Sequence, residues 1–294
     1  MKASKIIISF LIIVAFTAGV YFKDDVIDFF NSANQQINEQ VKNFQGTDIG
    51  SVASEVGKQI LAPTPLRVGG EEKHVALLKS KIIEETNLQR QNNGLSALKE
   101  NILLNNAASA KANDMFVNQY FEHESPLGVD PGILVLNHGY NYIVAGENLI
   151  LGNFSSEKEI VDNWMANPGH RENILNNRFA ETGVAIIKGT YNSQSLWIGV
   201  QEFGLPLTAC PQPDASLKSQ IDLDKMHLDE LFLQIDERKE QIDGTNSKSS
   251  AYSQMVEDYN QLVAQYNLLA EQTKSEIIKY NSQTNIFNSC VAGK

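Results

Sequence analysis

The chain has 294 residues, a net charge of −11 at neutral pH and 42% hydrophobic residues. That is longer than one typical domain and ordinary in apolar content, so one globular core with extensions is expected. No stretch is basic enough to form the positive patch that nucleic-acid binding requires, which excludes nucleic acid as a partner; acidity otherwise favours solubility.

The chain opens with Lys2 and Lys5, followed by seventeen apolar or small residues from Ile6 to Phe22 and then Lys23-Asp24-Asp25. This is the short end of a membrane span and the long end of a signal-peptide core. A small-x-small cleavage site is poorly formed, so residues 1–23 are read as a membrane anchor, with a cleaved signal as the alternative. In both cases the lysines stay in the cytoplasm and the remainder is exported. Val26, Phe30, Ala33, Ile37, Val41 and Phe44 then form a helical stripe, and residues 45–66 are a linker rich in Gly, Ser, Thr and Pro. Ala62-Pro63-Thr64-Pro65 cannot continue a helix, because proline lacks the donor and restricts its predecessor. The globular domain is placed at 67–209.

Within it, a helix is predicted from Glu72 to Asn92, stopped by Gly94. A second, alanine-rich helix covers Asn101 to Asn118. A short helix begins at Pro131-Gly132, and Tyr142 to Leu151 reads as a strand. Ser156-x-x-Glu159 is a capping box for the helix that carries Trp164. Pro168-Gly169 ends that helix, and His170 to Leu175 forms a further turn. Strands at Glu181–Lys188 and Ser195–Phe203 flank a polar turn. Helices followed by hairpin-joined strands indicate an α+β layered domain, not a parallel nucleotide-binding sheet.

Past Cys210 the composition changes. Leu217, Ile221, Leu228, Leu231, Ile235 and Ile242 keep three-four spacing, with Asp224 and Arg238 at two of the seam positions. After the turn Asp243–Ser247, the residues Tyr252, Met255, Tyr259, Leu262, Tyr266 and Leu269 resume the pattern. Residues 210–294 therefore read as an antiparallel coiled-coil hairpin, a possible route to oligomerisation or to a partner. The two cysteines, Cys210 and Cys290, suggest a disulfide in an exported protein, with two unrelated thiols as the alternative. A hairpin brings its ends together and so favours the bond.

Two of the five histidines sit in polar motifs. His123 lies in Phe121-Glu122-His123-Glu124-Ser125-Pro126, and His170 in Trp164-Met165-Ala166-Asn167-Pro168-Gly169-His170-Arg171-Glu172-Asn173-Ile174-Leu175. Between them stands Ala145-Gly146-Glu147-Asn148-Leu149. Neutral imidazole is a common metal ligand, and a carboxylate completes a mixed donor set. Spacing alone leaves the structural reading of each histidine open. Ser125 has no nucleophile-elbow pattern around it.

These motifs, with Gln201-Glu202-Phe203-Gly204 and Asn87-x-x-Arg90, resemble the CAP superfamily of cysteine-rich secretory, antigen-5-like and pathogenesis-related proteins. The resemblance covers about residues 73–204 and is nearest to the bacterial SCP-like branch. It implies an α-β-α sandwich and a cleft lined by a His/Glu tetrad, of which His123, Glu147 and His170 match three members. The second glutamate of eukaryotic members falls at Asn167 here, leaving one carboxylate fewer. Asn167, Asn148 and Ser125 are assigned to the cleft lining.

The implied cofactor is a divalent metal, zinc or calcium, on His123, His170 and Glu147. The expected function is that of a binding module at the cell envelope. The alternatives are a metal-assisted hydrolase with Glu147 as base on a bound water, and a hairpin-based oligomerisation protein. Two histidines fall short of the usual three protein ligands of a catalytic zinc site, which favours binding.

Overall fold

The computed structural model describes residues 59–72 and 75–293, together with Gln35 and Glu39. The expected membrane anchor and most of the juxtamembrane stretch lie outside these residues. Among the described residues, no helix is long and apolar enough to cross a membrane. The described chain divides into two compact units: residues 59–212 with 286–293, and residues 213–285.

The first unit is built on a mixed six-stranded sheet. Its strands are β1 (Gln59–Leu61), β2 (Leu66–Arg67), β3 (Lys99–Glu100), β4 (Tyr142–Gly152), β5 (Glu181–Tyr191) and β6 (Gln194–Pro206). The order is β1-β4-β6-β5-β3, with β2 also pairing with β4. β4, β6 and β5 are antiparallel, whereas the short strands β1, β2 and β3 pair in parallel. The β5–β6 hairpin turns at Asn192 and Ser193, whose φ values of 48° and 65° match the right-handed twist of the flanking strands.

Every residue of β4 is buried, because helices cover both faces of the sheet. On one face α2 (Ile102–Asn118) packs Ala108, Ala112 and Met115 against Leu149, Leu151, Ala185, Ile198 and Val200. Beside it α3 (Pro131–Asn137) packs Val135 near Ala145. The alanines let α2 approach closely. A Cβ on Gly183 of β5 would lie 2.2 Å from the Leu104 carbonyl carbon. On the other face α1 (Lys79–Asn92), α4 (Glu157–Ala166) and α5 (Pro168–Ile174) pack Ile82, Ile83, Ile160, Trp164 and Ile174 against Val144, Ile150, Val184 and Phe203.

Several local expectations shift. Residues 59–66, read above as the end of a linker, supply β1 and, with Arg67, β2. α1 begins at Lys79 and not at Glu72, and the Leu78 amide donates to Glu157 Oε1 of α4 at 2.9 Å. Pro168 and Gly169 open α5 instead of merely ending α4, because proline fits the first turn, where its missing N–H is not needed. The capping box holds: Ser156 Oγ accepts from the Glu159 amide, and Glu159 Oε2 accepts from the Ser155 amide. Asn87 and Arg90 are structural. Asn87 exchanges two hydrogen bonds with the backbone of Leu98, and the buried Arg90 donates to the carbonyls of Ser96, Ile174, Asn176 and Phe179.

The second unit contains α6 (Ala215–Asp243) and most of α7 (Ser250–Val291). They run antiparallel: Arg238 pairs with Asp258, Phe232 meets Tyr266, and Ile221 clusters with Ile277 and Tyr280. α6 buries Ile221, Asp224, Leu228, Ile235 and Ile242, while Leu217 and Leu231 of the expected stripe are half-buried. In α7 the seam is displaced by one residue from part of the expected set. Val256, Val263 and Ala270 are buried alongside Tyr259 and Tyr266, while Met255, Leu262 and Leu269 flank them. Cys210 and Cys290 are bonded, and they pack with Ile143, Phe287 and Val291 in the first unit.

Candidate functional site

The site lies at a gap in the sheet edge. β1 pairs with residues 144–146 of β4 and β2 with residues 150–151, so residues 147–149 of β4 have no strand partner on that side. The segment between β1 and β2 is Ala62-Pro63-Thr64-Pro65, whose prolines have no N–H to give to a ladder.

His123 is delivered by the loop after α2. That helix ends on Gln119 in the left-handed conformation, and the loop is tied down by the buried Lys111, which donates from Nζ to the His123 carbonyl. His123 Nδ1 donates to Glu147 Oε1 at 2.6 Å. His123 Nε2 donates to the carbonyl of Pro63. Both ring nitrogens are thus engaged.

His170 stands in the first turn of α5, with its ring fully buried. The backbone around it is fixed from two sides. Asn167 caps α5, its Oδ1 accepting from the Gly169 and His170 amides, and Asn148 Nδ2 donates to the His170 carbonyl. The ring itself has no well-formed hydrogen bond at either nitrogen. Burial, then the nearby charge of His123, lowers its pKa to about 4, with the Leu149 carbonyl acting weakly the other way. It is therefore neutral at neutral pH and carries a free lone pair.

Glu147 is buried, and its Oε2 has no donor. Across the sheet it is registered opposite Glu202, which is equally buried and which the sequence reading did not single out. Burial, then the Glu147 charge and a hydrogen bond with it, raises the Glu202 pKa well above the usual carboxylate range. Lys111, on the same face, has its pKa lowered by burial, while both carboxylates oppose the shift. Strand alternation held the clue: Ile198, Val200 and Glu202 point the same way, so an acid occupies a core position.

The other expected lining residues serve the scaffold. Asn148 is buried and accepts from Asn173 Nδ2 at 2.9 Å, while Asn173 also donates to the carbonyls of Leu61 and Glu147. Ser125 Oγ accepts from the Leu127 and Val129 amides and so organises a turn. Among the described residues, no group of three or more His, Cys, Asp or Glu stands where it could hold an ion. His123 has no nitrogen free, whereas His170 and Glu147 Oε2 do have acceptors to offer.

The family model of the cysteine-rich secretory proteins, CAP, matches residues 83–203. An uncharacterised Bacillus subtilis (strain 168) protein, YkwD, is 38% identical over 123 residues, which span 42% of this chain and 46% of that protein. The chain thus covers about half the length of that curated relative. A solved extracellular SCP-domain protein from Bacillus anthracis shares 28% identity, with 43% of this chain and 39% of that chain covered at a TM-score of 0.37. An outer surface protein from Borrelia burgdorferi shares 20% identity, with 43% and 91% covered at a TM-score of 0.37. With the motifs around His123, Glu147 and His170 inside the matched stretch, residues 83–203 belong to the CAP family in its bacterial, SCP-like form.

Proposed function

We propose that this chain is an exported CAP-domain binding module of the cell envelope, and that its cleft receives a ligand at His170, Glu147 and His123. One observation carries the reading: His170 is fully buried, neutral at neutral pH, and has no well-formed bond at either ring nitrogen. A buried imidazole with only a weak contact to the Leu149 carbonyl costs desolvation that a merely structural residue would avoid, and a ligand group would recover it. Export is supported by the Cys210–Cys290 bond, which persists in oxidising surroundings, and by the apolar run at residues 6–22. That run would hold the domain at the membrane, and the helices of 215–291 offer a surface for an envelope partner.

A divalent cation such as zinc is a second reading, favoured by the free acceptors of His170 and Glu147. It requires His123 to leave Pro63. The hydrolase alternative, with Glu147 as base, asks more of the site. It needs a trio of ligands, and one oxygen of Glu147 already accepts from His123.

Zinc titration by calorimetry on the exported part of the chain, beside His123→Ala and His170→Ala, tests the cation reading. Micromolar binding lost in both variants is the expected result. No binding by the parent at millimolar zinc removes the metal and leaves the cleft to a ligand of another class. Turnover of an envelope peptide or polymer, abolished by Glu147→Gln, would reverse the preference for binding.

A further inference from the structure

We propose that the groove along β4 is a receptor for an extended, proline-bearing peptide, and that this chain's own residues 59–68 occupy it. The inference rests on reading the cleft as a binding site, and it names the class of ligand.

The segment lies on the domain as a bound peptide would. β1 and β2 run parallel to β4, three and two residues long, and the Val68 amide donates to the Leu151 carbonyl at 2.8 Å. Adding an extended segment to a sheet edge is a recurrent mode of peptide recognition, in which the main chain supplies affinity and alternate side chains supply specificity. Here Leu61, Leu66 and Val68 pack against the core of the domain, while Ala62 and Thr64 face solvent. Asn173 Nδ2 donates to the Leu61 carbonyl, and His123 Nε2 to the Pro63 carbonyl. Both donors are side chains of the CAP domain, and both can donate to any peptide carbonyl placed there.

The groove is also shaped for this occupant. A Cβ on Gly152 would lie 2.4 Å from the Val68 carbonyl oxygen, and one on Gly169 would lie 2.6 Å from Pro63 Cβ. Gly169 adjoins His170, so the occupant passes directly over the site. Residues 59–68 themselves precede the family match at 83–203, so the groove belongs to the domain and the occupant to the segment before it.

The pairing is also weak enough to exchange. Five strand residues form it, two prolines interrupt it, and parallel ladders are less stable per residue than antiparallel ones. While the segment is docked, His123 has no free nitrogen, so any ligand that needs His123 must displace Pro63. A tethered occupant acts at an effective concentration in the millimolar range, which blocks a free peptide of ~10 µM affinity by about 100-fold.

The test uses a synthetic peptide of residues 59–68 and calorimetry. A Leu61→Ser/Leu66→Ser double variant of the chain, which loosens the resident segment, should bind the peptide with a Kd of about 10 µM. The parent should bind it about 100-fold more weakly, and adding His123→Ala to the double variant should weaken binding at least about tenfold. Absence of binding by a folded double variant overturns the proposal. Hydrogen exchange on the parent decides it independently: the amides of 59–68 should exchange at least about 100-fold faster than those of the β4–β6 ladder, and equal protection would make the segment a fixed strand. Zinc titration of the same samples separates the two claims. Zinc bound without peptide removes the peptide inference alone, whereas neither bound removes the reading of the cleft as well.

Discussion

Burial sets the charges of the cleft, and two of its residues respond to pH with opposite signs. His170 titrates at about 4 in the fold, against 6.5 for an ordinary histidine. Between those values the unfolded chain binds a proton that the folded chain does not, so stability falls as pH drops through that window and is fully present above it. The loss is on the order of 2 kcal/mol. Glu202 is shifted upward, so the folded state holds a proton that the unfolded state releases. Its contribution is present at low pH and is lost as pH rises above 4.5 through the folded value. Glu202→Gln keeps the size and removes the ionisation. It should raise Tm at pH 8 by roughly 3–6 °C, worth ~1–2 kcal/mol, and leave Tm unchanged at pH 4.5. His170→Gln should flatten the acid side of the same profile. Thermal melts of the parent and both variants from pH 4 to pH 8 measure this, and parallel profiles in all three would contradict the assignments.

The helices of the second unit carry a separate prediction at the level of elements. Asp224 occupies a seam position of α6 at 4% exposure. Its Oδ1 accepts from Gln220, but its Oδ2 has no donor. A buried carboxylate without full partners opposes the packing around it, so Asp224→Leu should stabilise the pair by ~1–2 kcal/mol, read as a higher urea midpoint at 222 nm. An unchanged midpoint would mean that water already solvates the acid. Asp224 was legible as a seam position because a seven-residue spacing survives one polar substitution. The motifs of His123, Glu147 and His170 were legible for a similar reason, since each is a run of side chains with its own turn chemistry. β1 and β2 were not legible. Five strand residues around two prolines show no period, and the hydrogen bond that matters is accepted by the Pro63 carbonyl, a group every residue type possesses. Glu202 was overlooked because an acid in a strand ordinarily faces water; only its registration opposite Glu147 reveals the pair. The displaced seam of α7 has a geometric cause: three-four spacing fixes which residues share a face, but not which of two adjacent rows lies at its centre.

Across the whole molecule, two spectroscopic signals separate the two units. Both tryptophans, Trp164 and Trp197, are in the first unit, whereas α6 and α7 contribute 29 and 42 residues of helix. Far-UV dichroism is therefore weighted toward the helical pair, and tryptophan fluorescence reports the sheet. The disulfide encloses residues 211–289, which contain nearly all of that pair, and both of its cysteines pack within the sheet unit beside Phe287 and Val291. Opening it adds freedom mainly to the unfolded helical pair. In the chain-entropy model, a closed loop with a sequence separation of 80 is worth ~4 kcal/mol. Reduction, or Cys290→Ser, should therefore lower the far-UV midpoint in urea by up to that amount and move the fluorescence midpoint much less. Before reduction, the two curves should already fail to coincide, because two compact units with separate cores need not melt together. Coincident curves that shift together on reduction would instead make the chain one cooperative unit, with the bond bracing the sheet as much as the helices.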